Sequence, residues 1–482
     1  MPTHSFLPLH RAKLAGDPFA MRVTVRGEDN PRGRYLLYWA QSARRLRNNI
    51  ALEYALESAN ELGIPVVVYE SVRPDYPQAN DRLHAFILEG VRANAADAKA
   101  RGLGYQFFLP RTAAEARGVV VKLAAEARRV VTDEFPTSII APQTRRFAER
   151  SPVAVHLVDG NGILPMRVFG KEQYSARFLR DRAHPLFRDL WPEIGERQPA
   201  KRFRGELDLP HYDGQEPRAA ARSCAIDHDV APVALHGGRD QALARLDTFL
   251  AEGLAGYATE RNRNIRHLSG LSPYLHFGHI GIHEIAERVL HSGAPAEDVD
   301  AFLEEAVIRR ELSFNLCFYN SRYDSLGALP DWAKRTLDKH RGDRRKPRYG
   351  DEELERAETY DEVWNLAQRQ LVATGTIHGY LRMLWGKKII EWSDTPEEAH
   401  AAMVRLHDRY AIDGRDPNTH AGILWCFGKH DRPWAPERPI FGSIRWMSSE
   451  QTRKKVRLSE VEELLASGTN GAIGSQSRLH LK

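Results

Sequence analysis

The pattern of apolar residues changes character once along this chain, near residue 239, and that change limits the folds open to it. Upstream, short apolar runs alternate with Ala-rich stretches of helical period. Candidate strands are Tyr35–Trp39, Ile64–Tyr69, Tyr105–Leu109, Arg129–Thr132 and Val153–Val158, with helical pattern over Ala43–Leu62 and Leu83–Ala100. Strand, helix, strand, repeated, predicts an α/β domain over residues 1–165, a Rossmann-like parallel five-stranded sheet covered by helices. After Arg239 the strand signals fade and long helical patterns follow, so residues 239–466 are expected to form an all-α domain. Residues 166–238 carry frequent prolines, glycines and charges, among them Pro192, Pro199, Pro210, Gly214 and Pro217. They read as an interdomain connection with a few short helices. The polar, Gly/Ser-rich residues 467–482 read as a flexible tail.

A length of 482 residues supports this division, because it exceeds one ordinary core. Lys plus Arg number 69 against 64 acidic residues, a net of +5 that by itself says little about nucleic acid. The three cysteines, Cys224, Cys317 and Cys426, lie far apart and form no CxxC. That argues against a disulfide framework or a zinc site and for a reducing cytosol. No run has the length of a membrane span, and Met1 to Asn30 lack the apolar core of a signal peptide. A soluble, cytoplasmic protein, a monomer without membrane contact, is the expectation. Folds like the N-terminal one often hold nucleotides, yet no GxGxxG follows a strand. Gly102-Leu103-Gly104 precedes one, the wrong place for a phosphate loop. A scaffold or docking role stays open beside a ligand site.

Seven of the nine tryptophans fall at or after Trp332. Within His378 to Trp392, the residues His378, Arg382, Trp385, Ile389 and Trp392 recur at helical spacing and share one face. Trp385 and Trp392 stand two turns apart, about 10 Å along the axis. The tryptophans alone fit a packed core. A histidine and an arginine on the same face fit a lined cofactor site better, because a buried guanidinium needs an acidic partner or an anionic ligand. Asp413-Gly414-Arg415-Asp416-Pro417-Asn418 has turn chemistry. An EF-hand reading fails because its bidentate glutamate position holds Leu424. The third reading makes Asp413 the acid that pairs with Arg382.

Two more segments carry chemistry. Ser269-Gly270-Leu271-Ser272-Pro273 reads as a helix start with Ser272 as N-cap, and exposed N–H groups at such a start suit a diphosphate. On a helix predicted over Phe302–Tyr319, Glu305 and Arg309 have the spacing of an ordinary surface ion pair. Basic residues interleave with aromatics in two stretches. One runs from Lys334-Arg335 through Lys339, Arg341, Arg344-Arg345-Lys346 and Arg348 to Tyr349. The other runs from Lys429 through Arg432, Trp434, Arg438 and Arg445 to Arg453-Lys454-Lys455 and Arg457. Both suit phosphate attraction with base stacking, or else solvated loops; flanking an aromatic cluster, they favour nucleic acid.

Leu271-Ser272-Pro273-Tyr274-Leu275-His276-Phe277-Gly278 resembles a signature of the photolyase and cryptochrome superfamily. Thr374-Gly375-Thr376-Ile377-His378-Gly379-Tyr380-Leu381-Arg382-Met383, Gly386-Lys387-Lys388, Glu391-Trp392, Asp408-Arg409-Tyr410 and the Asp413–Asn418 loop resemble its class II cyclobutane pyrimidine dimer photolyases. Tyr38-Trp39, Arg47 and Asn49 do so near the N-terminus. The resemblance implies an N-terminal domain that in some members holds an antenna pigment, of unknown identity here, and a helical domain holding FAD. It implies electron transfer from excited, reduced anionic FAD to a dimer flipped out of double-stranded DNA, with no acid, base or metal needed.

By the same resemblance, Tyr257, Leu268, Ser269, Gly270, Leu271, Ser272, His378, Arg382, Asp413, Asp416 and Asn418 would bind FAD. Glu305 would hydrogen-bond the dimer, and Met383 and Trp425 would pack on it. Trp385, Trp364 and Trp392 would be the proximal, middle and distal steps of the electron path. Tyr349, Lys429, Arg432, Trp434 and Arg445 would contact DNA, with Arg432 and Trp434 entering the gap left by the lesion. Two departures stand out. His407 occupies the position beside the flavin where the family commonly has asparagine, and an imidazole can carry a proton near physiological pH. The stretch Trp425–Asp431 is one residue shorter than the family spacing. A cryptochrome-like photoreceptor without repair activity is the alternative, and a flavin-free nucleic-acid binder is a third reading.

Overall fold

The computed structural model describes residues 5–6 and 17–466; the tail expected over 467–482 lies outside the described residues. The first unit is a six-stranded sheet in the order β1-β6-β5-β2-β3-β4. The strands are β1 (Val23–Arg26), β2 (Tyr35–Ala40), β3 (Val66–Ser71), β4 (Gly104–Phe108), β5 (Ala127–Asp133) and β6 (Val155–Val158). Strands β2 to β6 are parallel, and every residue of β2 is buried, because helices cover both faces of the sheet. The five expected strands are all present, but the sheet is not purely parallel. β1 adds antiparallel to β6 at one edge, with Val23 opposite Val158. Its four residues are only half shielded and lack the apolar run of a central strand, which is why the sequence pattern does not reveal it.

The helices of this unit are α1 (Ile50–Leu62), α2 (Asp81–Leu88), α3 (Val91–Arg101), α4 (Val119–Ala125) and α5 (Ile140–Arg150). Two expected helices shorten or divide. Asn49 caps α1 through Leu52 N–H, so the segment before it is loop. The pattern over 83–100 splits at Gly90 between α2 and α3. Gly102 has φ of 69° and ends α3, which explains the Gly-Leu-Gly sequence before β4 as a helix stop.

The connection divides in its packing. Its largest helix, α6 (Ala176–Leu190), has 15 residues rather than the few expected. It buries Ala176, Leu179, Ala183 and Phe187 against a core that also holds Leu246, Tyr274 and Phe302 of the helical unit. Beyond Trp191 the chain returns over the sheet, where Phe203 meets Tyr35 edge-on and Tyr212 N–H donates to Phe107 O.

The principal helices of the second unit are α7 (Arg239–Thr248), α8 (Ser272–His276), α9 (Ala296–Leu303), α10 (Arg310–Tyr319), α11 (Glu362–Thr374), α12 (Gly379–Trp392), α13 (Pro396–Tyr410) and α14 (Pro417–Cys426). The helix expected over Phe302–Tyr319 is interrupted: Glu304–Arg309 form a π-helical turn between α9 and α10. Polar side chains lock the two units together. Arg82 donates to Tyr410 O at 2.7 Å and Val372 O at 2.8 Å, and Arg45 donates to Gly278 O at 3.0 Å. Gly278 has φ of 67°, and a Cβ there would lie 1.8 Å from Ser42 O, so only glycine fits this crossing.

Candidate active site

A cavity of about 350 Å³ opens among α8, α9, the π-helical turn, α12 and the start of α14. Of the sequence-predicted cofactor residues, Tyr257, Leu268, Ser269, Gly270, Leu271, Ser272, Arg382, Asp413, Asp416 and Asn418 line it, together with Glu305. The strap Leu268–Gly270 is held from behind by the buried guanidinium of Arg245, which donates to Leu268 O and Ser269 O at 2.6 Å each. Gly270 has φ of 65°, and a Cβ there would meet Arg245 Nε at 2.8 Å. Ser272 is not the N-cap the sequence suggests. Helix α8 already begins at Ser272, and its hydroxyl turns to the Asp413 carboxylate.

Arg382 and Asp413 pair at 3.2 Å, the acid buried and the guanidinium partly open to the cavity. Burial, the largest single influence, would raise the Asp413 carboxyl, but the Arg382 charge together with His407, the Ser272 hydroxyl and His276 holds the acid below the usual range. Asp416 caps α14 through Asn418 N–H. Burial opposes its ionisation too, yet its hydrogen bond from His276 and the Arg310 charge bring it to about 2. Arg310 lines the same cavity and sits over the Phe314 ring at 4.4 Å. Sequence reasoning missed it, because two adjacent arginines on a helix give no sign of which one turns inward.

His378 and His407 do not line the cavity but stand behind it. His378 accepts from Tyr380 N–H and caps α12, and burial lowers its pKa to about 4. His407 is buried on α13, and burial, then the Arg382 charge, lowers it to about 4. Burial therefore pushes this imidazole toward its neutral form, at a position where the sequence allows an imidazole that can carry a proton near physiological pH.

Several polar atoms around this end of the cavity are buried without protein partners: Arg382 Nε, Asp413 Oδ1, both ring nitrogens of His407, His378 Nε2 and Gln370 Nε2. Such atoms are costly unless something bonds them. Of these residues Arg382 and Asp413 line the cavity, and the donor Nε and acceptor Oδ1 of that charged pair fit the edge of a flat heteroaromatic ring bearing both carbonyls and N–H groups, as FAD does.

Three tryptophans in ring contact lead away from the cavity, the first two stacked and the last edge-on. Trp385 follows Arg382 by one turn of α12. Its ring is parallel to that of Trp364, centroids 6.5 Å apart, and Trp364 meets Trp392 at 5.4 Å. Gln368 accepts from Trp385 Nε1, and Trp364 Nε1 donates to Trp385 O, which fixes the rings. Trp392 is itself buried. Two tyrosines cover it, Tyr349 at 5.0 Å and the exposed Tyr360 at 6.0 Å. Tyr349, expected at DNA, thus packs on Trp392 and accepts from Tyr360 N–H.

At the cavity mouth Glu305 is exposed and does not pair with Arg309. The π-helical turn rotates Arg309 so that its guanidinium lies 3.5 Å from Glu304 and 4.9 Å over the Trp425 ring. Trp425 and Met383 are half-buried and are not among the residues lining the cavity. Trp434 is held between the guanidiniums of Arg432, at 4.8 Å, and Arg445, at 5.0 Å. Lys429 is not available to DNA, since its ammonium is buried against Glu172 and Ala328 O. In the first basic stretch Lys339, Arg341 and Arg348 are engaged by Glu437, Glu397 and Asp394. That pairing neutralises three of the eight lysines and arginines of the stretch.

A second cavity, of about 810 Å³, lies at the carboxyl ends of β2 and β3, the place where open α/β sheets hold ligands. Trp39, Tyr69 and Phe147 give it aromatic walls, and Arg44, Arg146 and Arg150 give it positive charge.

A photo-lyase of Methanothermobacter thermautotrophicus, named deoxyribodipyrimidine photo-lyase, is 39% identical over 439 residues, spanning 90% of this chain and 95% of its own. The chain belongs to the deoxyribodipyrimidine photo-lyase family. Photo-lyases of Oryza sativa subsp. japonica and Potorous tridactylus are 36% and 33% identical, covering 90% and 89% of this chain and 88% and 81% of theirs. No family model matches. Among solved structures, the class III photolyase of Agrobacterium tumefaciens superposes with a TM-score of 0.64 at 18% identity, over 88% of this chain and 84% of that one. The Sulfolobus tokodaii photolyase, solved with two FAD molecules, gives 0.61 at 15%, over 90% and 89%. A Synechocystis cryptochrome gives 0.64 at 14%, over 90% and 88%. At these identities the photo-lyase likeness of the structures concerns the fold alone.

Proposed function

We propose that this protein repairs DNA by light, splitting cyclobutane pyrimidine dimers in double-stranded DNA as a class II photolyase does. The observation that carries the reading is the continuity of one helix. Helix α12 presents Arg382 to the cavity beside unbonded polar atoms and, one turn on, places Trp385 at the head of the tryptophan row. Held in that cavity, reduced anionic FAD would supply light-driven electron transfer to the dimer. The protein's own work is placement. Arg382 and Asp413 orient the ring edge by charge, and the Leu268–Ser272 strap and Asn418 hold the rest of the molecule. His407 stands behind this pair and backs it with a buried imidazole.

Trp385, Trp364 and Trp392 would carry electrons inward to an oxidised cofactor from a reductant in solution. Glu305, free of Arg309, is placed to hydrogen-bond the flipped dimer, with Met383 and Trp425 as apolar walls. Arg432, Trp434 and Arg445 form the wedge and rim that hold the opened duplex. The arginine-rich second cavity suits a further chromophore with an aromatic body and an anionic end; one solved relative in fold carries two FAD molecules. The test is to reduce the purified protein, add dimer-containing duplex and follow dimers in light and dark. Loss only in light is expected. Binding of flavin with no loss in light would instead favour a photoreceptor.

A further inference from the structure

Helix α6 carries an aromatic side chain that its own packing does not need. The buried stripe Ala176, Leu179, Ala183 and Phe187 is complete, yet Phe178 stands on the opposite face and is 57% exposed. One turn earlier Tyr174 is 50% exposed, and the two rings meet edge-on at 6.3 Å. Arg177 between them is exposed as well. A large aromatic pair in water beside a free guanidinium is costly to keep unless a partner covers it.

The position of the pair indicates the partner. Tyr174 is fixed to the loop that carries the wedge: its hydroxyl donates to Asp431 O at 3.3 Å and accepts from Trp332 Nε1 at 3.3 Å, and its carbonyl is bonded by His430 Nδ1 at 2.8 Å. On its other side α6 is tied to the π-helical turn, where Arg180 chelates Glu304, the neighbour of Glu305 at the cavity mouth. Two nearby acids are occupied, Glu172 by Lys429 and Asp431 by the Trp434 indole, and Asp181 lies exposed on the next turn. The rim that starts at Arg432 and Trp434 therefore continues, rigidly and with the same basic and aromatic chemistry, along the first turns of α6.

We propose that Tyr174, Arg177 and Phe178 form a second nucleic-acid contact, on which a base or sugar of the duplex beside the flipped dimer rests while Arg177 meets its phosphate. The proposal rests on DNA being the partner of the Trp434 rim. Stacking platforms of this kind are indifferent to sequence, and the phosphate contact makes binding salt-dependent.

The experiment measures, in the dark, fluorescence anisotropy of duplexes with and without one cyclobutane thymine dimer, over a salt series. The proteins are wild type, Phe178→Ala, Arg177→Ala and Trp434→Ala. Phe178→Ala is expected to weaken binding about tenfold, within the range of one stacked base. Arg177→Ala is expected to lower the slope of log affinity against log salt by about one. Both variants should keep the wild-type flavin spectrum and melting temperature, because the altered side chains are exposed. Unchanged affinity in both while Trp434→Ala weakens would overturn the second contact and leave the DNA reading standing. A change in sedimentation with no change in DNA affinity would make the ridge a protein contact and would also overturn it. Wild-type protein that binds neither duplex would overturn the reading beneath it.

Discussion

Asp413 and Arg382 are thirty-one positions apart in sequence and meet at 3.2 Å. Asp413→Asn keeps the shape and removes the charge, leaving Arg382 uncompensated at the cavity wall. Because the guanidinium is partly solvated, the loss is about 1–2 kcal/mol, or roughly tenfold weaker cofactor retention, read as flavin released on dilution. Glu311 makes a different prediction. Its buried carboxyl accepts from Leu164 N–H, and burial raises its pKa to about 8 despite the Arg22 charge. A group raised on folding contributes fully below its unfolded pKa, near 4.5, and that contribution fades as pH climbs toward 8. Glu311→Gln imitates the protonated form, so it should raise the melting temperature by roughly 2 °C more at pH 8 than at pH 5. Equal shifts at both pH values would contradict the assignment. The Arg382–Asp413 pair was among the readings open in the sequence, because a buried arginine on a helix face calls for an acid or an anionic ligand. Lys429 and Tyr349 were not. Both types suit DNA, and only tertiary packing shows that one ammonium turns inward to Glu172 and that one ring covers Trp392.

Helix α12 was readable as an element because its spacing puts Arg382, Trp385 and Trp392 on one face, and the structure adds the contact between Trp385 and Trp364 from α11. Trp385→Phe replaces the first indole after the cavity with a phenyl ring that is far harder to oxidise. Photoreduction of oxidised cofactor should slow sharply, while repair by chemically reduced protein stays near wild type; equal loss of both would contradict an electron path. The π-helical turn at Glu304–Arg309 was not readable, since an extra residue in a helical turn leaves no compositional mark. It decides the site nonetheless, separating Glu305 from Arg309. Strand β1 escaped for a related reason: its short, half-exposed sequence is a strand only because β6 offers an edge.

At the scale of the molecule, the division into a sheet unit and a helical unit followed from the change in apolar period, whereas their joint did not. Arg82 and Arg45 bridge it through backbone carbonyls, which carry no side-chain signature. Burial also leaves the whole chain sensitive to acid. His84, His279 and His430 are lowered to about 3, and His156, His378 and His407 to about 4, chiefly by desolvation. A histidine lowered on folding contributes fully above its unfolded pKa, near 6.5, and loses that contribution as pH falls toward its folded value. Each loses up to about 1.4 kcal/mol per pH unit in that window. The melting temperature should therefore drop steeply from pH 6.5 to pH 4.5, and a flat profile there would contradict the burial of these rings as neutral groups.

The measurement closest to the central claim compares two lesions in one experiment. Chemically reduced protein is illuminated with a duplex carrying a cyclobutane thymine dimer and, in parallel, with one carrying a (6-4) photoproduct, each with a dark control. The account predicts that cyclobutane dimers disappear in light alone and that the (6-4) photoproduct persists. Cyclobutane dimers that survive illumination while the bound flavin stays reduced would contradict it.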